Sequence, residues 1–271
     1  MATKQKELHL RGILTGMHSV LVAFSGGVDS SLLLKIAFDM LGRDNVLAVC
    51  AVSPVMTREE QKEVRQFSRM IGARLMAIEG REMENPAFLK NDKRRCYWCK
   101  RERFVELKKI ACREGMRFVI EGSNADDLSD YRPGMQAVHE LGIASPLLEA
   151  GLTKKEIRLI SRRLGLPTWD KPAAACLASR IPYGTRIDET LLKRIESAEG
   201  LLHKAGFELV RVRHHGNMAR IEVPSGEIKR LIAPEMRVSI SKDLRKLGWQ
   251  YITVDLEGYT TGSLNRFIVT G

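Results

Sequence analysis

The stretch AFSGGVDSSLLLK, residues 23–35, decides the fold. It opens at the end of an apolar run, SVLVAF (19–24), and closes inside a helical pattern (30–41) that ends at Gly42. An apolar strand, a Gly-rich turn and a helix, in that order, begin a βα unit. Backbone N–H groups at such a turn, with the positive end of the helix dipole behind them, suit phosphate. The turn has neither the GxxxxGK[ST] of nucleoside triphosphatases nor the GxGxxG of dinucleotide sites.

Working outward, NVLAVCAV (45–52), RLMAI (74–78) and RFVIE (117–121) read as three more strands. Thr57 and Glu60 make a capping-box pattern for a helix that ends at Gly72. A second helix is expected from about Tyr97 to Arg113, and a third from Thr153 and Glu156 to about Gly165. Strands alternating with helices predict an α/β fold with a doubly wound parallel sheet. Ligands bind such sheets at the carboxyl ends of the strands. That edge is expected to carry Ser25–Ser30, Ser53 and the loop after Glu121. Past Asp188 the pattern changes. A helix (189–204), two alternating runs around His215-Gly216-Asn217, another helix and YITVDL (251–256) predict a small α+β domain. The expected division is 1–182 and 183–271.

The chain has 271 residues, 44% of them hydrophobic, enough for a packed core. No apolar run is long enough to span a membrane, and Met1–Gly12 lacks the apolar block of a signal peptide. A soluble cytoplasmic protein is expected. The net charge, 44 − 33 = +11, favours anionic partners such as nucleotides or nucleic acid. The five cysteines are odd in number, which argues for metal binding or catalysis over a disulfide framework.

EGSNADDLSDYRPG (121–134) places Asp126 and Asp127 side by side after a predicted strand, with Asp130 and Arg132 nearby. Hard carboxylates at a nucleotide site hold Mg²⁺ between phosphates, and Arg132 is suited to bidentate phosphate contact. A solvated polar turn is the alternative. Cys96 and Cys99 form C-x-x-C at a predicted helix start, on one face, among Arg94, Arg95, Lys100 and Arg101. Cys112, 13 positions beyond Cys99, is turned by about 220° from it, and Cys50 lies in a strand. No second C-x-x-C completes a zinc site. Cys176 sits in KPAAACLASRIPYGTRI (171–187), which reads as an exposed loop whose Ser179-Arg180 faces an anionic ligand. Cys96, Cys99 and Cys176 would ligate three irons of a [4Fe–4S] cluster and leave the fourth iron open to a sulfide. A buried, inert Cys176 is the bland alternative.

Lys90, Lys93, Arg94, Arg95, Lys100, Arg101 and Arg103 surround Tyr97 and Trp98. Such a mixture suits RNA, a single mononucleotide or a solvated helix face. Arg211 and Arg213, at period 2, project from one strand face beside His214 and His215. They read as phosphate ligands or as a basic strand edge that deters pairing.

SGGVDS resembles the pyrophosphate loop of the ATP-pyrophosphatase superfamily. That resemblance implies that Ser25, Gly26, Gly27, Val28 and Ser30, with Gly122, Asp126 and Asp127, bind ATP and pyrophosphate, and that Asp29 and Asp126 position Mg²⁺. SGGVDS, GSNADDLSDYRPG and CLASRIPYGTRI, together with RVRHHGNMARIEV, resemble the LarE family over nearly the whole chain. The resemblance implies an ATP-dependent sulfurtransferase that adenylates the carboxylates of pyridinium-3,5-biscarboxylic acid mononucleotide. Sulfur then replaces oxygen, on the way to the nickel-pincer cofactor of lactate racemase. In one branch of the family a single cysteine, here matched by Cys176, gives up its own sulfur. In the other, three cysteines hold a [4Fe–4S] cluster carrying sulfide, and Cys96 and Cys99 place this chain there. The resemblance further implies Arg180, Arg211 and Arg213 as substrate-phosphate ligands, Glu199 and Glu222 as acids near the substrate, a separate sulfide source, and a trimeric or hexameric homo-oligomer. A tRNA 2-thiolation enzyme is one rival, against which stand the missing RNA-binding module and zinc-ribbon cysteines; nucleic acid is therefore not the expected partner. A zinc-stabilised, non-catalytic nucleotide-binding protein is the other.

Overall fold

Successive residues of the second strand alternate between two cores: Val46, Ala48 and Cys50 enter one, Leu47 and Val49 the other. Side chains of a strand alternate faces, so a strand apolar on both faces belongs inside a layered sheet. The computed structural model describes residues 2–129, 133–172 and 175–260. It divides into two units: Met1–Phe88 with Lys93–Lys171, and Leu89–Asp92 with Pro172–Gly271.

In the first unit, β1 (Val20–Ala23), β2 (Val46–Val52), β3 (Arg74–Glu79) and β4 (Phe118–Ile120) form a parallel sheet ordered β3-β2-β1-β4. The order reverses direction after β1, so the crevice of a doubly wound sheet lies at the carboxyl ends of β1 and β4. The α/β reading of the sequence holds. One face is covered by α1 (Thr3–Met17), α2 (Val28–Leu41) and α3 (Arg58–Ile71); α4 (Pro86–Leu89) is a single turn outside it. The other face is covered by α5 (Arg95–Arg113) and α6 (Pro133–Glu140). Next come α7 (Pro146–Glu149) and α8 (Lys154–Arg163), which join the first face. α2 is apolar nearly all round because it lies between the sheet, α1 and α8; Leu32, Leu33, Leu34, Ile36 and Ala37 are all fully buried. α1 and α6 are not foreseen by the sequence pattern. Asp130 and Arg132 lie outside the described residues.

In the second unit, α9 (Glu189–Lys204) precedes the hairpin β5 (Arg211–His215) and β6 (Met218–Glu222). After α10 (Ile228–Leu231) and α11 (Pro234–Lys246), β7 (Tyr251–Val254) pairs parallel to β6. The units divide at Lys171/Pro172, eleven residues before the expected 182/183. The reason is visible at Asn91, whose buried amide donates to the carbonyls of Pro182 and Thr185, both at 2.8 Å. These bonds hold residues 89–92 and the Cys176 segment in one unit. Among the described residues, no helix is long and apolar enough to cross a membrane.

α8 is set by Thr153 and Glu156. The Thr153 hydroxyl accepts the Glu156 amide, and Glu156 accepts bonds from the amide and hydroxyl of Thr153, both at 2.9 Å. Glu156 also pairs with Lys6 of α1 at 2.8 Å. Burial pushes the Glu156 carboxyl up, but bonds from Lys6 and Thr153 outweigh it and lower its pKa from 4.5 to about 2. A carboxylate depressed in the folded state adds stability above its unfolded pKa, and that stability is lost as pH falls through the folded value. Melting temperature is therefore expected to drop between pH 4.5 and about 2, and Glu156→Gln to flatten part of that drop. Thermal melts across this range check it; an unchanged slope in the variant would show that Glu156 does not carry the transition.

Candidate active site

The turn after β1 is shaped by glycine. Gly26 has φ +73°, and a Cβ there would meet Val64 Cγ2 of α3 at 2.8 Å. Gly27 is the N-cap of α2, and its carbonyl accepts the Ser31 amide at 2.9 Å and the Ser30 hydroxyl at 3.2 Å. Ser30 Oγ also accepts the Ser25 amide at 3.3 Å and lies 3.1 Å from Ser25 Oγ. The two serines thus brace the turn across its mouth. A helix start leaves its first amides without intrahelical partners, and here they gather at the carboxyl end of the central strand, with Val28 and Asp29 in the first turn of α2. That is an anion cradle.

The loop after β4 closes on this turn. A Cβ on Gly122 would lie 3.0 Å from the Ser30 amide nitrogen and 3.3 Å from the Asp29 carbonyl carbon. Asn124 donates to Asp29 at 3.4 Å, and its amide donates to Asp127 at 3.0 Å. Lys154, the first residue of α8, joins both acids. Its ammonium pairs with Asp29, and its amide donates to Asp126 at 2.9 Å. Burial raises the Asp29 pKa, against the opposing pull of Lys154. Asp29 and Asp126 are hard oxygen donors of the kind that hold Mg²⁺, and the Lys154 ammonium already stands against Asp29. Nothing in the sequence pattern singles out Lys154 or Asn124. The one signal for Lys154 is its place directly after the Thr153 cap, at a helix start.

Glu121 is buried at the same edge. It accepts Lys100 at 3.2 Å, the Ser123 amide at 2.9 Å and the Ser145 hydroxyl at 2.7 Å. Burial pushes its carboxyl up, but Lys100 and the two serines hold it below the usual range. Ser53, expected at this edge, is also buried and donates to Glu82 at 2.7 Å.

Cys96 and Cys99 lie in the first turns of α5; Cys96 is exposed, and Cys99 is half-buried with Arg103 Nη2 at 3.7 Å from its sulfur. Cys50 is in the core, where burial pushes its thiol up, so it is no nucleophile. Tyr97 is 7% exposed and donates to Glu140 at 2.7 Å, so its ring is not an open stacking platform for RNA bases. Cys176 is exposed but belongs to the second unit. Cysteine thiolates are soft donors suited to iron. Among the described residues, no group of three His, Cys, Asp or Glu side chains is gathered for a metal ion.

The second unit gathers the other expected residues. Arg180 pairs with Glu199 through two bonds of 2.9 Å and donates to the Cys176 carbonyl at 3.1 Å. Arg213 pairs with Glu222 at 3.0 and 2.8 Å and donates to the Ser179 carbonyl at 2.8 Å. Arg211 lies 5.4 Å over the Tyr259 ring; burial and the nearby Arg180 charge lower its pKa. Arg180 is therefore not on an exposed loop, as the sequence suggests, but 4% exposed. The expected phosphate ligands and acids thus stand together around the segment that carries Cys176.

The NAD synthase family model matches residues 5–129, the part that builds the parallel sheet and the anion cradle. A pyridinium-3,5-bisthiocarboxylic acid mononucleotide synthase of Lactiplantibacillus plantarum is 37% identical over 96% of this chain and 94% of its own. The chain belongs to that synthase family, the LarE family. An uncharacterized Synechocystis protein is 43% identical over 96% of this chain and 97% of its own. A glutamine-hydrolyzing GMP synthase component of Halorubrum lacusprofundi is 25% identical over 56% of this chain and 52% of its own. The NAD synthase match thus falls within the first unit, while the match to the bisthiocarboxylic acid mononucleotide synthase spans nearly the whole chain.

Two substitutions test this geometry. Gly122→Ala forces the β4 loop off the first turn of α2 and is expected to cost about 1–3 kcal/mol, as overpacking does, and to weaken ATP binding. Urea unfolding and calorimetric titration with a non-hydrolysable ATP analogue check both. Glu199→Ala strands the buried Arg180 guanidinium and is expected to cost about 3–5 kcal/mol, read from the urea midpoint at constant m-value.

Proposed function

We propose that this LarE-family enzyme adenylates a carboxylate of a pyridinium-3,5-biscarboxylic acid mononucleotide and converts it to a thiocarboxylate for the nickel-pincer cofactor of lactate racemase. The observation that carries the reading is the pairing, within one chain, of an anion cradle at Ser25–Ser30 with a cysteine segment set among Arg180, Arg211 and Arg213. A carboxylate oxygen attacks the α-phosphorus of ATP, the bond to the β-phosphate breaks, and pyrophosphate leaves. The Gly27–Ser30 amides hold that leaving group as its charge grows, and Asp29 and Asp126 are the groups that would hold Mg²⁺. Sulfide sulfur then attacks the acyl carbon, the acyl–oxygen bond breaks, and AMP departs with the oxygen. Arg211 and Arg213 are the groups assigned to the substrate phosphate. Glu199 and Glu222 hold the guanidiniums of Arg180 and Arg213 in place.

Cys96, Cys99 and Cys176 are assigned as the ligands of a [4Fe–4S] cluster, which when bound presents sulfide from an open iron. The exposure of Cys96 and Cys176 supports this assignment. Anaerobic purification followed by iron and acid-labile sulfide counts tests it, repeated on Cys96→Ala, Cys99→Ala and Cys176→Ala. About four irons per chain, lost in each variant, is the expected result. Iron-free anaerobic protein, with a loss of one H₂S from Cys176 after a single round with ATP and substrate, would instead make Cys176 the sacrificial donor. Pyrophosphate release that depends on the pyridinium substrate tests the adenylation step itself.

A further inference from the structure

Residues 169–171 are clamped onto α8. Arg158 donates to the Trp169 carbonyl at 2.8 Å and to the Lys171 carbonyl at 2.7 Å, and Arg162 sits 4.9 Å over the Trp169 ring. From this clamp the Lys171 ammonium reaches back across 145 positions to the Gly26 carbonyl, at 3.1 Å. On its other side it meets Glu63 of α3 at 2.5 Å. Lys171 is 20% exposed in its side chain, and five residues after it comes Cys176. Deepening the pyrophosphate reading above, and resting on it, we infer that Lys171 is a positioning residue for the pyrophosphate loop.

The reason is geometric. Gly26 is pressed against Val64, the neighbour of Glu63, so its carbonyl has little room to swing. A trans peptide is planar, with its C=O and N–H pointing in opposite directions. Holding the Gly26 carbonyl on an ammonium therefore aims the Gly27 N–H to the far side of the peptide. Among the described residues, that N–H makes no hydrogen bond to the protein, so it is open to an anion. The ammonium also polarises the amide, which makes the Gly27 N–H a stronger donor. Because Glu63 already balances its charge, Lys171 acts through this peptide rather than as a counter-ion to the phosphates.

The test uses full-length protein and calorimetric titration with Mg²⁺–pyrophosphate and, separately, with AMP, for wild type, Lys171→Met, Lys171→Arg and Lys171→Gln. Lys171→Met is expected to weaken pyrophosphate about tenfold, the scale of one charge-assisted hydrogen bond, and to leave AMP affinity unchanged. Lys171→Arg restores pyrophosphate binding to within about threefold, since a cationic donor returns to Gly26. The KM for ATP in pyrophosphate exchange rises in step, while kcat changes less. Equal affinities in wild type and Lys171→Met, or a proportional loss of pyrophosphate and AMP together, would overturn the inference. Should Lys171→Met fail to fold in a thermal melt, Lys171→Gln replaces it, with a pyrophosphate-selective loss again expected and an even loss overturning. Wild type that binds no pyrophosphate sinks the loop reading itself, and this inference with it.

Discussion

The close approach of Gly122 to the first turn of α2 is the constraint on which the nucleotide edge depends. Two loops that follow adjacent strands, β1 and β4, must meet without a side chain between them, because a Cβ at 122 would press on the Ser30 amide. Once they meet, Asn124 reaches Asp29, Asp127 ties down the Asn124 amide, and Asp126 receives the start of α8. None of these contacts is strong alone. A hydrogen bond contributes about 1 kcal/mol, or about 1.5–3 kcal/mol where one partner is charged. Their value is registry: each fixes a backbone amide or a carboxylate at the carboxyl edge of the sheet.

α8 extends that registry away from the sheet. Its capping box seats the N-terminus, Lys154 then bridges Asp29 and Asp126, and one turn later Arg158 holds the carbonyls of Trp169 and Lys171. One helix therefore sets the acids and the strap that returns to Gly26. Glu156 links the same helix to α1 through Lys6, so the N-terminal helix supports the site at one remove.

Much of this is legible in the sequence, for physical reasons. Strands β1 to β4 can be read within about one residue at each end because a buried parallel strand is a short unbroken apolar run. α3 and α8 can be read from Thr–Glu caps, whose hydrogen bonds are local and therefore written locally. α1 escapes such a reading because its sparse apolar positions, Leu10, Leu14 and Met17, are balanced by charge along most of its length. The β6–β7 pairing is illegible because a parallel pair is fixed by long-range contacts, not by a turn. Lys154, Asn124 and Lys171 escape for a related reason. Each matters through a partner between 95 and 145 positions away, and no local pattern records such a pairing.

The buried arginines show why a residue's chemistry is not settled by its type. Arg180 and Arg213 read from the sequence as open phosphate ligands, yet each is held by two bonds to a buried glutamate. A buried guanidinium without such a partner would carry a desolvation cost of several kcal/mol. The pairing thus explains how two arginines stand inside the second unit at all. It does not empty the cluster of positive charge. Arg220 also leans on Glu222, at 2.9 Å, so that carboxylate serves two guanidiniums. Arg211 feels Arg180 and Arg213 as repulsive neighbours and Glu199 as an attractive one. Arginines outnumber glutamates here, four to two among Arg180, Arg211, Arg213, Arg220, Glu199 and Glu222, with Asp255 3.5 Å from Arg220. Burial and the repulsion of Arg180 lower the Arg211 pKa, while Glu199 and Glu222 act as fixed struts for the guanidiniums of Arg180 and Arg213.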